Sequence, residues 1–199
     1  MGRSSRADAD RHKTEVLKAA VRFIAEHDPG ALTIPKAMSA AGMTPGGFYN
    51  YFTSKDDFLS QVVDLAFAMQ QEAVGVLGAA HSNQLRPTLS AMAAVYLTSP
   101  DRRDMKLGIS VLVLSSEISE SAPETATRQA FARGIDGLVA LLAGLEAPGE
   151  TPGQKTKLVL ATLSALAGAS AISRALPDRA LASDLLDATR LFMQARPSE

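Results

Sequence analysis

The chain has no cysteine and no tryptophan among its 199 residues. Without thiols it forms no disulfide, no thiolate metal site and no thiol redox sensor, and it suits a reducing cytoplasm. Aromatic residues make up only 5% of the chain, and no sign of charge dominates, with 20 Lys/Arg against 21 Asp/Glu. Overall charge therefore gives no sign of a polyanionic partner. The N-terminus carries no apolar signal region. The longest weakly polar run, Leu158 to Ile172, is rich in small residues and too short to cross a bilayer, so no membrane partner is expected. No segment alternates apolar and polar residues as half-buried strands do, and no internal repeat is visible. Catalytic signatures are missing too. His12, His27 and His81 lie in polar or boundary segments without metal-ligand spacing, and there is no HExxH, GxSxG or phosphate-binding glycine loop. No metal, no cofactor and no enzyme activity are expected, although a small helical enzyme assembled from distant residues stays open.

What remains is a folded chain with 46% apolar residues, patterned at helical spacing. Residues 1–9 are polar and read as a frayed tail, with Arg3 and Arg6 as a minor-groove arm in the other reading. A first helix spans 10–27, with Val16, Ala20, Phe23 and Ile24 inward, and ends at Asp28-Pro29-Gly30. A long helix runs from Lys55 to about Ala80 with Phe58, Val62, Leu65 and Met69 as its stripe, and His81-Ser82-Asn83 breaks it. Further helices are predicted at about 84–98, 104–118, 123–145, 153–175 and 178–195. The breaks fall at Ser99-Pro100, Ser121-Ala122-Pro123, Ala147-Pro148-Gly149 and Leu176-Pro177. The fold class is all-α with about nine helices.

The stretch 32–59 is the most informative. Thr33 caps a short helix, Pro35 falls in its first turn, and Ile34, Ala37, Met38 and Ala41 give it one apolar face. Gly42 stands where a left-handed C-terminal cap belongs. Thr44 with Pro45 starts a second helix. Phe48 and Phe52 lie four apart and face inward, which turns Pro45, Gly46, Tyr49 and Asn50 outward, with Gly47 and Tyr51 on the flanks. Ser54 followed by Asp57 is close to a capping box and starts the long helix. Two short helices joined by a tight turn can present the second to the DNA major groove. The outward residues of that second helix carry no charge. Two glycines in a first turn cost roughly 1 kcal/mol each against alanine, and what they offer is close approach of another surface. Tyrosine and asparagine can bond phosphates, and asparagine can pair with an adenine edge. The plainer reading is a connector helix with a chance aromatic cluster. Residues 1–55 hold eight Lys/Arg against five acids, a modest excess that predicts a moderate salt slope per subunit.

This segment resembles the TetR family of bacterial repressors over roughly residues 10–60. The carrying residues are Leu32-Thr33-Ile34, the turn Ala40-Ala41-Gly42-Met43-Thr44-Pro45-Gly46, Phe48-Tyr49 with Tyr51-Phe52, and Ser54-Lys55-Asp56-Asp57-Phe58-Leu59. The resemblance implies that Thr33 and Lys55 contact phosphates and that Thr44, Pro45, Gly46, Gly47, Tyr49, Asn50 and Tyr51 form the recognition surface on a double-stranded operator. Gly47 stands where the family often has threonine or serine, which puts one polar contact in doubt. A helix-turn-helix DNA-binding domain at 1–54 and a helical ligand-binding and dimerisation domain at 55–199 follow.

In that second domain, Ala161, Ala165, Gly168, Ala169 and Ile172 line one side of a helix, and Leu181, Leu185, Ala188 and Phe192 stripe the last one. Both sets suit core or association equally. The resemblance favours a homodimer through these last two helices. It also implies a small-molecule inducer among the middle helices, with Met69, Met92, Tyr96, Met105, Phe131 and Ile135 as lining and Ser116 or Glu117 as polar candidates. Methionine suits a permissive apolar site, while each of these residues also reads as ordinary core. The expected function is a cytoplasmic, ligand-responsive repressor. The rival is a helical ligand-binding or scaffold protein without DNA activity, which would tolerate changes at Tyr49, Asn50 and Lys55.

Overall fold

The computed structural model describes residues 2–27, 31–97, 112, 115–119, 122 and 124–194, without the side chains of 2–6, 116 and 117. Among these residues all regular structure is helical, apart from one isolated bridge between Gln84 and Glu146. Helix α1 spans Gly2–Glu26 and α2 Ile34–Ala40, followed by a 3-10 helix, η1, at Pro45–Asn50. Then come α3 (Lys55–Ala80), α4 (Leu85–Tyr96), α5 (Ser115–Ser119), α6 (Ala126–Ala143), α7 (Pro152–Ala175) and α8 (Arg179–Gln194). The all-α expectation holds, and α4, α6, α7 and α8 fall within three residues of the predicted bounds. Of the helix expected at 104–118, only its end lies among the described residues. The breaks at Asp28-Pro29-Gly30 and Ser99-Pro100, with Ser121 and Pro123, lie outside them.

Two expectations about helices need correction. Residues 2–9 are the first turns of α1 and not a frayed tail. No glycine or proline interrupts the chain from Arg3 to Glu26, and polarity alone does not oppose a helix whose outer face is in water. The second correction concerns α3. Its buried stripe is Phe58, Val62, Val63, Ala66, Phe67, Gln70 and Val74. Leu65 is half-buried and Met69 is 39% exposed on the outer face. The inward face is set by α6, a helix some seventy residues away, which a local apolar count cannot see.

α3 and α6 run parallel. Asp56 meets Thr127, Asp64 pairs with Arg133 at 3.1 Å, Gln71 Nε2 donates to the Gly134 carbonyl at 3.4 Å, and Gly78 lies beside Leu145. At the middle of this contact the Phe67 ring lies directly on Gly134, in space a β-carbon there would need, and crosses Phe131 edge-on at 5.6 Å. Without a β-carbon at Gly134 the two helices come close enough for an aromatic ring to fill the gap between them.

At the far end the turn after α3 is tied down. Leu85 N donates to Glu146 O and Glu146 N to Asn83 O, both at 2.8 Å, while Arg86 pairs with Glu150 at 2.6 Å. Ser82 and Asn83 hold left-handed φ values of 55° and 54° there. α7 packs against α8, α6 and α4. It has 24 residues and is long and apolar enough to cross a membrane, with 33% of its most apolar window buried. The shorter count from sequence left out its polar flanks.

Gly134→Ala places a methyl group inside the Phe67 ring contact. It should lower stability by about 1–3 kcal/mol. Phe67→Leu in the same chain should return part of that loss, because the two sites share one volume. Urea denaturation of both singles and the double measures the coupling, and strict additivity would show that Phe67 does not occupy the Gly134 gap.

Candidate nucleic-acid interface

The N-terminal unit is built around aromatic rings. Phe48, Phe52 and Phe58 are each 1% exposed. Their centroids stand 5.1 Å (48–52), 5.5 Å (48–58) and 4.9 Å (52–58) apart, within the range of favourable tilted and edge-on pairs. Because Phe58 belongs to α3, this cluster fixes η1 to the long helix. Val16, Ala20, Ile24, Ala37 and Met38 complete the same core. Lys13 Nζ stands 5.4 Å over the Phe52 ring.

Local capping follows the sequence with two differences. Thr33 accepts from Lys36 N at 3.4 Å, and Gly42 has φ 72°, a left-handed value that releases the chain from α2. Thr44 stands at the start of η1 but makes no side-chain cap bond, so its exposed hydroxyl is not used by the turn. Ser54 caps α3 through Asp57 N at 2.9 Å. Asp57 does not return to Ser54 but reaches Thr53, whose N–H and hydroxyl donate to its carboxylate at 2.8 and 3.0 Å.

With Phe48 and Phe52 buried, η1 turns Pro45, Gly46, Tyr49 and Asn50 outward, and Tyr49 is 74% exposed. Thr33, Thr44 and Lys55 are exposed; Gly47 and Tyr51 are half-buried. The element is a 3-10 helix where an α-helix was expected, which suits six residues with glycine twice in the first turn. A β-carbon at Gly46 would meet nothing within 4 Å, and one at Gly47 nothing nearer than 3.8 Å. The fold itself therefore does not require glycine at either position. Tyr51 leans back on α1, its hydroxyl 3.4 Å from His12 Nδ1, and the two flank a hollow of about 420 Å³ beside Gly42, Thr44 and Gly47.

One further contact leaves this unit. Asp56, next to Lys55, accepts from Ala126 N at 2.8 Å, Thr127 N at 3.1 Å and the Thr127 hydroxyl at 2.6 Å. Partial burial pushes the Asp56 pKa up, but the Thr127 hydroxyl and N–H, with the Ala126 N–H, outweigh it and hold the carboxyl below its usual value. An α3 carboxylate thus supplies the N-terminal cap of α6 alongside Thr125, whose own hydroxyl accepts from Arg128 N.

The residues named for a ligand are scattered. Met92 is fully buried in α4. Tyr96 is half-buried at its end, and burial pushes its hydroxyl pKa up. Phe131 and Ile135, one turn apart on α6, pack partly buried against the core. Met69 faces away from that core. Met105 lies outside the described residues, as do the side chains of Ser116 and Glu117. Among the described residues no three His, Asp or Glu side chains gather as metal ligands.

Residues 16–62 match the family model of bacterial regulatory proteins, tetR family. The N-terminal unit is a DNA-binding domain of the TetR-family type. Solved TetR-family structures share its fold over nearly the whole length. A TetR transcriptional regulator from Legionella pneumophila is 16% identical, with a TM-score of 0.70 over 90% of this chain and 93% of its own. The reduced form of NemR from E. coli is 19% identical, with a TM-score of 0.65 over 94% and 100%. The multidrug binding protein EbrR, complexed with imidazole, is 20% identical, with a TM-score of 0.56 over 89% and 93%. No curated protein matches the chain in sequence. These neighbours share the fold, and the matched segment is the helix-turn-helix part of the chain.

Sequence reasoning overlooked the Asp56–Thr127 bond and the buried Gln70. The first joins residues 71 apart and leaves no local signal. The second was legible as the lone polar residue on the apolar line Val63, Ala66, Phe67, Val74.

Asp57 offers a pH test. The Thr53 N–H above all, then the Gln61 amide and Thr53 hydroxyl with some attraction from Lys13, hold its carboxyl below the ordinary value against partial burial. A lowered folded-state pKa adds stability that is present above the unfolded value of about 3.9 and is lost as pH falls through the folded value. Asp57→Ala should therefore be less stable than the native chain at pH 7 by about 1–2 kcal/mol. The gap should narrow steadily below about pH 4. Denaturant titrations at pH 7, 5 and 3 check this, and a gap independent of pH would assign the loss to packing.

Proposed function

We propose that this TetR-family regulator is a repressor that leaves its operator when a small, largely apolar inducer binds. The observation that carries the DNA side is the outward, uncharged surface of η1: exposed Tyr49 and Asn50, the unused Thr44 hydroxyl, and two glycines that internal packing does not demand. Glycine where the fold has room for a side chain makes sense when another molecule must come close. Thr33 and Lys55 contact phosphates at the two ends of this surface, and Pro45, Gly46, Gly47 and Tyr51 shape it. Residues 1–54 bind DNA, and residues 55–199 bind the inducer and a second copy. The protein acts in the cytoplasm and catalyses nothing.

Dimerisation is supported by what one copy leaves exposed. Leu160 and Ile172 on α7 are 44% and 53% exposed, and Leu181, Leu191 and Phe192 on α8 are 52%, 62% and 79% exposed. Apolar surface concentrated on two adjacent helices marks an association face. A two-fold dimer brings two recognition elements to half-sites roughly 34–36 Å apart. The inducer is proposed to lie among the middle helices, near Met92, Tyr96, Phe131 and Ile135. EbrR, a drug-binding protein of the same fold, supports this use of the scaffold. The inducer favours a conformer in which the two η1 surfaces no longer fit successive grooves, and it shifts the balance only by its differential affinity for the two conformers.

Lys55→Ala should weaken operator binding evenly across sequences and lower the salt slope by about one per subunit. Asn50→Ala should relax preference at one base position, at about 1–3 kcal/mol for a bidentate contact. Titrations against intact and substituted operators separate the two, and equal, sequence-blind losses would remove Asn50 as a base reader.

Gly168 tests the dimer. A β-carbon there meets nothing within 4 Å inside the protomer. Gly168→Leu should keep the protomer folded while sedimenting as a monomer or a weakened dimer with poorer operator binding. A native-like dimer would place the association face elsewhere.

A further inference from the structure

Gln70 is 2% exposed, and its Oε1 is buried without a hydrogen-bond partner. Four buried hydroxyls of the described core are bonded: Ser60 donates to Asp57 O at 2.8 Å, Thr88 to Gln84 O at 2.7 Å, Thr127 to Asp56 Oδ1 at 2.6 Å and Ser173 to Ser170 O at 3.1 Å. An amide oxygen removed from water and given nothing in return disfavours the folded state, and leucine would occupy the position at lower free energy. The position is also central. One turn before it, Phe67 lies on Gly134 and against Phe131. The next residue, Gln71, ties α3 to α6. α3 also packs against α4, which carries the buried Met92. No Asp, Glu, Lys, Arg or His is buried in the described core.

We propose that Gln70 Oε1 is the polar anchor of the effector site and accepts a hydrogen bond from a hydroxyl or N–H of the bound molecule. The occupant is an uncharged, otherwise apolar compound with one donor. Among the described residues an anion has no buried cation to meet in this core, and a compound without a donor leaves the oxygen unpaired. This inference rests on the effector reading given above and narrows its chemistry.

The probes are indole and indene, bicyclic molecules of nearly the same shape that differ in one N–H donor. Calorimetry on the full-length native protein should show indole binding about five- to tenfold more tightly, the size of one net hydrogen bond. Gln70→Leu and Gln70→Met should bind the two probes equally and should melt at a higher temperature than the native chain. A merely structural glutamine would give the reverse, a lower melting temperature. The same probes are titrated into the operator complex. Equal binding of the two probes by the native protein, a preference that survives in both variants, binding of neither probe, or variants that melt no higher would each overturn the role of Gln70. Release of operator DNA by both probes without preference would overturn that role and leave effector control standing. Donor-dependent binding that never releases DNA would support the anchor and count against effector control.

Discussion

The close approach of α3 and α6 is the constraint on which the remaining architecture depends. α3 belongs to both parts of the molecule. Its first turns carry Phe58 into the aromatic cluster of the N-terminal unit, and its middle carries Phe67 onto Gly134. α6 follows it in parallel from Asp56–Thr127 to Gly78–Leu145. The N-terminus of α6 is thus tied directly to the first turn of α3. Asp56, which makes that tie, is covalently next to Lys55 and only five residues from Tyr51. In the function proposed above, this carboxylate and helix cap would be the direct connection between the C-terminal helices and the N-terminal unit.

The sequence made the local features plain. Caps at Thr33 and Ser54, the left-handed Gly42, the Phe48/Phe52 spacing and the breaks at Ala147-Pro148-Gly149 and Leu176-Pro177 each have a physical cause within five residues, and each appears in the structure where it was read. Long-range features left no such trace. The burial of Phe67 and the exposure of Met69 depend on which side of α3 faces α6, and two faces of a mostly apolar helix look alike to a periodicity count. The same blindness placed Met69 among ligand residues. Residues 2–9 were misread for a different reason, since polarity was taken as a sign of fraying where nothing in the segment breaks a helix.

The two halves of the molecule differ in how their polar groups are satisfied. Around η1 the hydroxyl and carboxylate groups of Thr53, Ser54 and Asp57 serve the backbone at short range, and the aromatic core needs no polar help. In the C-terminal helices the core keeps one amide oxygen without a partner.

The parallel course of α3 and α6 also sets the field at the DNA-facing end. Both helices begin at the same place, so their macrodipoles add, each worth roughly half a positive charge at its N-terminus. Side-by-side parallel dipoles repel. Asp56 and Asp57 stand in that shared first turn, and Asp56 bonds the free N–H groups of α6 as well. The positive ends that could have attracted a sugar–phosphate backbone are neutralised within the protein. In the function proposed above, attraction to nucleic acid would then be left to side chains that can be changed one at a time, Lys55 and the cations of α1, so that the strength of non-specific binding could evolve without disturbing the helix pair beneath it.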